Sequence, residues 1–520
     1  MKSSTQYPLV CVLAIYCALF SVEITLSVFS SGHHLVYPLD DTYISMAMAK
    51  HFAEHGVWGV TPFGFTSATS TPLYVLLVAT CYRFTGAADC WPLVLAFTSG
   101  AFAILLADRI LPRSSKGRLI ALLSIVLLTP LASIAHLGME HTLHICLTLL
   151  FAWRASVVIG KSKRFDWFLV LIIPLLVMTR FEGLFLVGIG AFLLAIRRSF
   201  LLAASLLMAA ALPVTAYGAL ALSRGWFFLP NSLLLKGTKF ESSFLINILV
   251  MNFHALVLLR KAPHLIGILI ALVAILWATR RAETWAPGRI LVWLSLLSLI
   301  AHVVFADVGW IFRYEAYLIV LSIVSIATAL PLVESLQAKK LAYSVAMMAA
   351  AVLLVRSFRI FTEMPSITNG IYSQQYQMGR FVSRYYQSSS IAANDIGAIN
   401  YMADLHLFDL AGLADTEILK RKRLKSYTTK IIDTEASRNG VQIAIVYDSW
   451  FSDQRPAAFG GPALPRTWLR VGRWRTLNAE HLGSDAVSFY AVQPNEESRL
   501  REALRAFREI LPSEVTVLQD

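Results

Sequence analysis

The feature that most constrains this chain is a succession of long apolar runs, each broken by a short polar or basic stretch. A hydrocarbon core about 30 Å thick takes about 20 apolar residues to cross as a helix. Residues 8–29 meet that length. Ten further runs follow, at 91–110, 119–135, 141–157, 167–179, 181–196, 200–222, 263–279, 290–306, 314–331 and 341–355. The residues are 57% hydrophobic and only 15% charged, against about 45–50% and about 25% in an ordinary soluble domain. A water-soluble globular protein, a disordered chain and a fixed-period repeat are excluded, which leaves a polytopic α-helical membrane protein. The first run lacks a small-residue cleavage pattern and is expected to stay as an anchor.

The net charge of +13 would suggest a nucleic-acid partner in a soluble protein. Here the cations gather between apolar runs, the pattern that orients helices in a bilayer. Five clusters stand out: Arg109/Arg113/Lys116/Arg118, Arg154/Lys161/Lys163/Arg164, Arg197/Arg198, Arg280/Arg281/Arg289 and Lys339/Lys340. Two more runs are doubtful as spans. Residues 71–82 are short, and residues 244–259 carry Asn247, Asn252 and His254. If neither crosses, all five clusters share the side of the N-terminus, which the positive-inside rule makes cytoplasmic. The expectation is therefore about eleven spans, with about thirteen as the alternative. Either odd count puts the C-terminal part outside the cytoplasm. The division expected is a transmembrane domain over 1–357, with a first outer loop at 31–71, and a soluble extracytoplasmic α/β domain over 358–520. In that domain β-like runs at 390–394, 441–447 and 486–492 alternate with helical stretches such as 496–510. The five cysteines all lie in the apolar part, so no disulfide framework supports the tail.

This topology gathers the polar, non-basic connections on one outer face, and there lie the residues able to do chemistry. Asp40 and Asp41 follow the first span directly. Adjacent carboxylates repel, and such pairs occur where a metal, a cation or a proton transfer uses them. One acid can serve as general base towards a hydroxyl while the other holds a divalent ion or tunes its neighbour. The plainer reading is that Asp41 caps a helix over 42–54. A Gly-rich aromatic stretch follows, through Trp58, Gly59, Phe63, Gly64, Phe65 and Thr69 to Thr71-Pro72-Leu73-Tyr74. It suits a cavity for a hydroxylated ligand, or an interfacial aromatic belt.

An Asp pair after the first span, then a helix, then a Gly/aromatic stretch closing on Thr-Pro-Leu-Tyr resembles the first outer loop of the GT-C fold membrane glycosyltransferases. Within that superfamily it is most similar to bacterial arabinofuranosyltransferase-like and related cell-envelope enzymes. Gly138-Met139-Glu140, Thr179-Arg180-Phe181-Glu182-Gly183, Leu229-Pro230-Asn231-Ser232 with Lys236, and Phe312-Arg313-Tyr314 agree with the resemblance. So do Asp395-Ile396-Gly397 and Asp409 through Leu413 in the tail. The resemblance implies transfer of a sugar from a polyprenyl-phosphate carrier to an acceptor hydroxyl at the outer face of a bacterial inner membrane. It implies Asp40 as the base, with Asp41 second. Arg313, Lys236 and Arg180 are the implied cations for the leaving lipid phosphate, with Glu140, Glu182, Asn231 and Tyr314 as further substrate-binding residues. The acceptor is a glycan, lipid or protein; no nucleic acid is expected. Some members of the superfamily use a divalent cation with their acidic motif, so that cofactor stays open and no metal ligands are assigned.

Duller readings stand beside these. Arg180 and Glu182 can pair with each other or with Glu140, a common fate of intramembrane charges. His136, Glu140 and His144 would share a face of one continuous helix, but Gly138 interrupts it, and satisfied interfacial histidines are the better reading. Asp395 and Asp409 read as turn residues. A lipid or solute transporter or flippase is the alternative function, although no paired halves of similar hydropathy are evident.

Overall fold

The computed structural model describes residues 7–162, 165–236, 244–454, 460–477 and 479–518. Among these, six helices are long and apolar enough to cross a membrane: Pro8–Ser30, Cys90–Ile110, His141–Gly160, Phe200–Ser223, Pro287–Phe305 and Leu336–Tyr385. A seventh candidate is a pair, Phe253–Lys261 and Pro263–Ala278, bent by 101°. The bend falls at Pro263, whose ring keeps the preceding Ala262 out of the helical region (φ −128°, ψ 64°). Four shorter apolar helices, Pro72–Thr85, Trp167–Thr179, Gly183–Ile196 and Ala316–Leu332, complete the apolar set. The chain is a multi-pass membrane protein of mostly helical architecture with an α/β region at its C-terminal end. Large side chains such as Phe102, Met208 and Leu212 are exposed on these helices, as expected where lipid is the solvent.

The chain divides into two compact units. The first comprises Met1–Glu23, Leu93–Tyr217 and Lys236–Thr362. Its interior is apolar with a few buried ionic contacts. Glu23, fully buried, accepts a hydrogen bond from Ser133 Oγ, and His136 Nδ1 lies 2.9 Å from its other oxygen. The acid in the first span thus faces protein partners, the usual solution for a charge at membrane depth.

The second unit comprises Ile24–Pro92, Gly218–Leu235 and Glu363–Asp520. It therefore unites the segment after the first apolar helix with the C-terminal α/β region. A six-stranded mixed sheet is formed by β1 (Ser390–Ala393), β2 (His406–Asp409), β3 (Ile443–Val446), β4 (Leu469–Thr476), β5 (Ala486–Ala491) and β6 (Val515–Leu518), in the order β2-β1-β3-β5-β4-β6. Strands β1, β2 and β3 run parallel; β5, β4 and β6 follow antiparallel. One face packs Ala392, Phe408, Ala444 and Val446 with Ile418, Ile432 and Ala436 of two helices. Trp474 and Phe489 instead meet Phe381 and Phe507, with Trp474 and Phe507 stacked at 5.5 Å. Helices on both faces of a partly parallel sheet leave the carboxyl ends of β1, β2 and β3 as the edge where such folds place their functional groups.

Candidate functional site

In the second unit the chain enters the helix Asp40–His55 from an extended Leu39 (φ −141°). Leu39 holds the N-cap position and makes no side-chain cap hydrogen bond; the helix begins two residues earlier than a cap at Asp41 requires, so the expected capping role of Asp41 is not found. Asp40 instead reaches the turn after β1. Its Oδ2 accepts from the Gly397 amide at 2.6 Å and its Oδ1 from the Ala398 amide at 2.8 Å. A Cβ on Gly397 would lie 2.2 Å from the Asp40 carbonyl oxygen and 2.6 Å from Oδ2. This close approach gives Asp395-Ile396-Gly397 a physical reason: only glycine admits the carboxylate there.

Asp395 faces Asp40 across this contact and accepts from Tyr447 Oη at 2.7 Å and Gln375 Nε2 at 3.0 Å. Burial, and then the neighbouring Asp395, push the Asp40 carboxyl well above the ordinary carboxylate value. Asp41 is half-buried. Asn231, fully buried, ties two further segments to the same unit: its amide donates to Ser67 O at 2.8 Å and its Nδ2 to Gly412 O at 3.1 Å. Tyr401 Oη donates to Asp89 Oδ1 at 2.5 Å, and Tyr37 Oη to the Asp89 carbonyl at 2.5 Å. The polar loop before Pro72 is closed on itself, with Thr66 N donating to Trp58 O at 2.9 Å and Val60 N to Thr66 Oγ1 at 2.9 Å.

In the first unit five of the expected site residues come together. Arg180 donates to Glu140 at 2.5 Å and to Glu182 at 2.5 Å. Its guanidinium lies 5.2 Å from the centre of the Tyr314 ring, and that of Arg313 lies 4.8 Å from it. Arg313, 3% exposed, donates to Tyr314 Oη at 2.9 Å and to Met139 Sδ at 3.0 Å. The chain reaches Arg313 through three consecutive left-handed residues, Trp310, Ile311 and Phe312 (φ 44°, 62° and 59°). Each costs about 1–2 kcal/mol relative to ordinary backbone. Polar anchors hold this turn: Glu315 accepts from the Gly309 amide at 3.2 Å and from Arg356 at 3.0 Å.

The pairing reading of Arg180 with both glutamates therefore describes its position. Gly138 (φ 62°) separates the helices Leu131–His136 and His141–Gly160, so His136, Glu140 and His144 do not lie on one continuous helix. Among the described residues no group of three or more His, Cys, Asp or Glu side chains is arranged to hold a metal ion. Lys236 ends the helix Asn231–Lys236, and its side chain lies outside the described residues. Asp409, at the end of β2, accepts from the Ala411 and Ala414 amides at 2.8 and 2.6 Å. It is the turn residue expected. Asp395 is more than that, because its turn receives Asp40. The Asp-x-Gly spacing was the available signal, but its partner 357 positions away is invisible to local pattern.

Comparison with known proteins bears on the fold. A family described as Domain of unknown function (DUF8728) matches residues 366–490. No curated protein matches in sequence. Among solved structures, the chain is similar to ArnT from Cupriavidus metallidurans bound to undecaprenyl phosphate: TM-score 0.54, 12% identity, 95% of this chain and 99% of that one covered. The apo state of the same ArnT matches with TM-score 0.50 and 10% identity, covering 84% of this chain and 92% of that one. The chain thus shares the fold of ArnT across almost its whole length, in keeping with the fold expected from the loop motifs.

Proposed function

We propose that this chain is an integral-membrane glycosyltransferase that moves a sugar from a polyprenyl-phosphate carrier to an acceptor hydroxyl. The observation that carries this reading is the end-to-end fold similarity to a protein seen with undecaprenyl phosphate bound. In the proposed reaction the acceptor oxygen attacks the anomeric carbon, the bond from that carbon to the phosphate oxygen breaks, and polyprenyl phosphate leaves. The acceptor proton passes to a carboxylate of the Asp40–Asp41 pair. Asp40 has both oxygens engaged by the Gly397 and Ala398 amides, which favours Asp41 as the base and Asp40 as the residue that positions it. Arg313 is the proposed cation for the departing phosphate and Lys236 a second candidate for that role; Arg180, shared between Glu140 and Glu182, orders the Tyr314 surroundings. The basic clusters support a cytoplasmic N-terminus and an extracytoplasmic α/β region; the bacterial inner membrane is part of the proposal through the resemblance.

The test uses purified full-length protein in proteoliposomes with a labelled sugar-phosphopolyprenol and candidate acceptors. Asp41→Asn is expected to slow transfer by about 10²–10⁴-fold, the usual share of a general base, and Arg313→Gln by about 10²–10³-fold, with folding retained in both. Full transfer by a folded Asp41→Asn and Asp40→Asn double variant overturns the reading. Carrier crossing the bilayer with no sugar transferred would favour the flippase alternative. Loss of transfer on adding a chelator, restored by one divalent ion, would assign the cofactor left open above.

A further inference from the structure

A cavity in the first unit lies apart from the residues discussed so far. It has a volume of about 410 Å³ and is walled by the helices Ser115–Leu128, Pro263–Ala278, Ala316–Ala329 and Leu336–Ile371. That is within the range of about 300–1,000 Å³ typical of small-molecule sites. Ile120, Ala121, Ile268, Ile323 and Ala350 are among its apolar walls. Ser322, a buried hydroxyl of the lining, is bonded to Ser295 at 2.9 Å. Its lining follows one helix from Gly117 to Leu128 and another from Lys339 to Leu353. At about 1.5 Å per residue these stretches run about 16–21 Å, comparable with the half-thickness of about 15 Å of a hydrocarbon core.

The two ends of the slot differ in chemistry. One, at Leu128, Ile319 and Leu353, is apolar apart from Ser322. The other carries Arg118, Lys339, Ser114 and Tyr343, with Arg113, Lys116 and Lys340 exposed nearby in the chain. The acids at this end are Asp108, held bidentately by Arg118, and Glu334, so cations remain in excess. Tyr343 and Met347 line the slot and are exposed (54% and 67%), which leaves its wall accessible from the side.

We propose that this slot binds an anionic glycerophospholipid of the surrounding bilayer, one acyl chain between the helices and the phosphate at Lys339 and Arg118. Apolar walls one leaflet deep fit a single chain, and the cationic rim selects for net negative charge, since each basic residue near a membrane surface contributes about 1 kcal/mol towards anionic lipid. The site depends on the chain lying in a membrane and not on the reaction proposed above.

Native mass spectrometry of the full-length protein, with phosphatidylglycerol and phosphatidylcholine of identical chains added in equal amounts, tests this. The wild type is expected to retain at least fivefold more phosphatidylglycerol adduct. Lys339→Glu should bring the two lipids near parity, and Ala350→Phe, which fills the slot, should abolish the preferred adduct. Ala327→Phe, on a different helix, serves the same purpose if the first filled variant does not fold. Equal retention of both lipids by the wild type, or an undiminished adduct in a folded filled variant, overturns the proposal. So does displacement of the adduct by stoichiometric polyprenyl phosphate, which would give the slot to the carrier. Sugar transfer is read separately on the same samples, so failure here leaves the reaction assignment untouched.

Discussion

Asp40 is the residue on which a structural and a chemical role can be separated most cleanly. Removing its carboxylate in Asp40→Ala leaves the Gly397 and Ala398 amides without their acceptor in a buried setting. An unsatisfied buried donor costs about 1–3 kcal/mol. Two of them, less the relief of no longer burying an acid beside Asp395, give a local destabilisation of about 2–4 kcal/mol. Asp40→Asn keeps one acceptor oxygen but turns an NH₂ towards the other amide, and about 1–2 kcal/mol is expected. Because burial and Asp395 raise the Asp40 carboxyl above its unfolded value of 3.8, the native chain holds the extra proton. The stability from this group is therefore fully present below about pH 4 and is lost as pH rises through the raised value. Asp40→Asn cannot titrate, so its deficit against the wild type should shrink with rising pH. Hydrogen exchange of peptides covering 394–403, measured between pH 5 and 8 with correction for intrinsic rates, reads the effect directly. Unchanged protection in Asp40→Ala would falsify the clamp. A folded Asp40→Asn that retains transfer within about tenfold, beside an inactive Asp41→Asn, separates positioning from proton transfer.

Other expectations follow from single contacts. Gly397→Ala puts a methyl 2.2 Å from the Asp40 carbonyl and should cost about 1–3 kcal/mol, seen as faster exchange in the same peptides; wild-type protection would refute the close approach. Arg180→Gln leaves the buried Glu140 and the half-buried Glu182 without their shared cation, a loss of about 3–5 kcal/mol expected as a marked drop in thermal midpoint in detergent. Thermal stability equal to wild type would mean that those carboxylates find another partner. Asn231→Ala removes the bond to Gly412 O and should cost about 0.5–1.5 kcal/mol. Asn231→Asp should cost more, because a carboxylate would then face the carbonyl; equal effects of the two variants would argue against that bond.

The membrane class was plain from apolar run length alone, because a bilayer imposes a length that few other environments do. The exact set of crossing helices was less so. The helices Trp167–Thr179 and Gly183–Ile196 are 13 and 14 residues long, short of a full span, and Arg180 and Glu182 sit at their junction bonded to each other. The α/β region was half legible. Strands β1, β3 and β5 are apolar and mostly buried, whereas β4 carries Arg470, Arg473 and Arg475 among its buried Val471 and Trp474, so its charge masks its place in the sheet. At the site, the residue types were readable: acids in the first loop, arginines before Phe181 and Tyr314. Their partners were not. Nothing local in Leu39-Asp40-Asp41 announces that Asp40 will be seized by amides after β1, and nothing around Glu140 announces Arg180, 40 positions on. Long-range pairing depends on tertiary packing, which one sequence does not encode in any window.

The separation of 357 positions between Asp40 and its amide partner also sets a schedule for biogenesis. At a synthesis rate of about 5–20 residues per second, the acids leave the ribosome about 20–70 s before Gly397 exists. For that interval Asp40 lacks its amide donors, and only the loop's own contacts, such as Tyr37 with Asp89, are available to the nascent segment. A truncated product lacking the last third would keep its anchor yet never engage Asp40, so loss of transfer on truncation would report failed assembly of the opening segment.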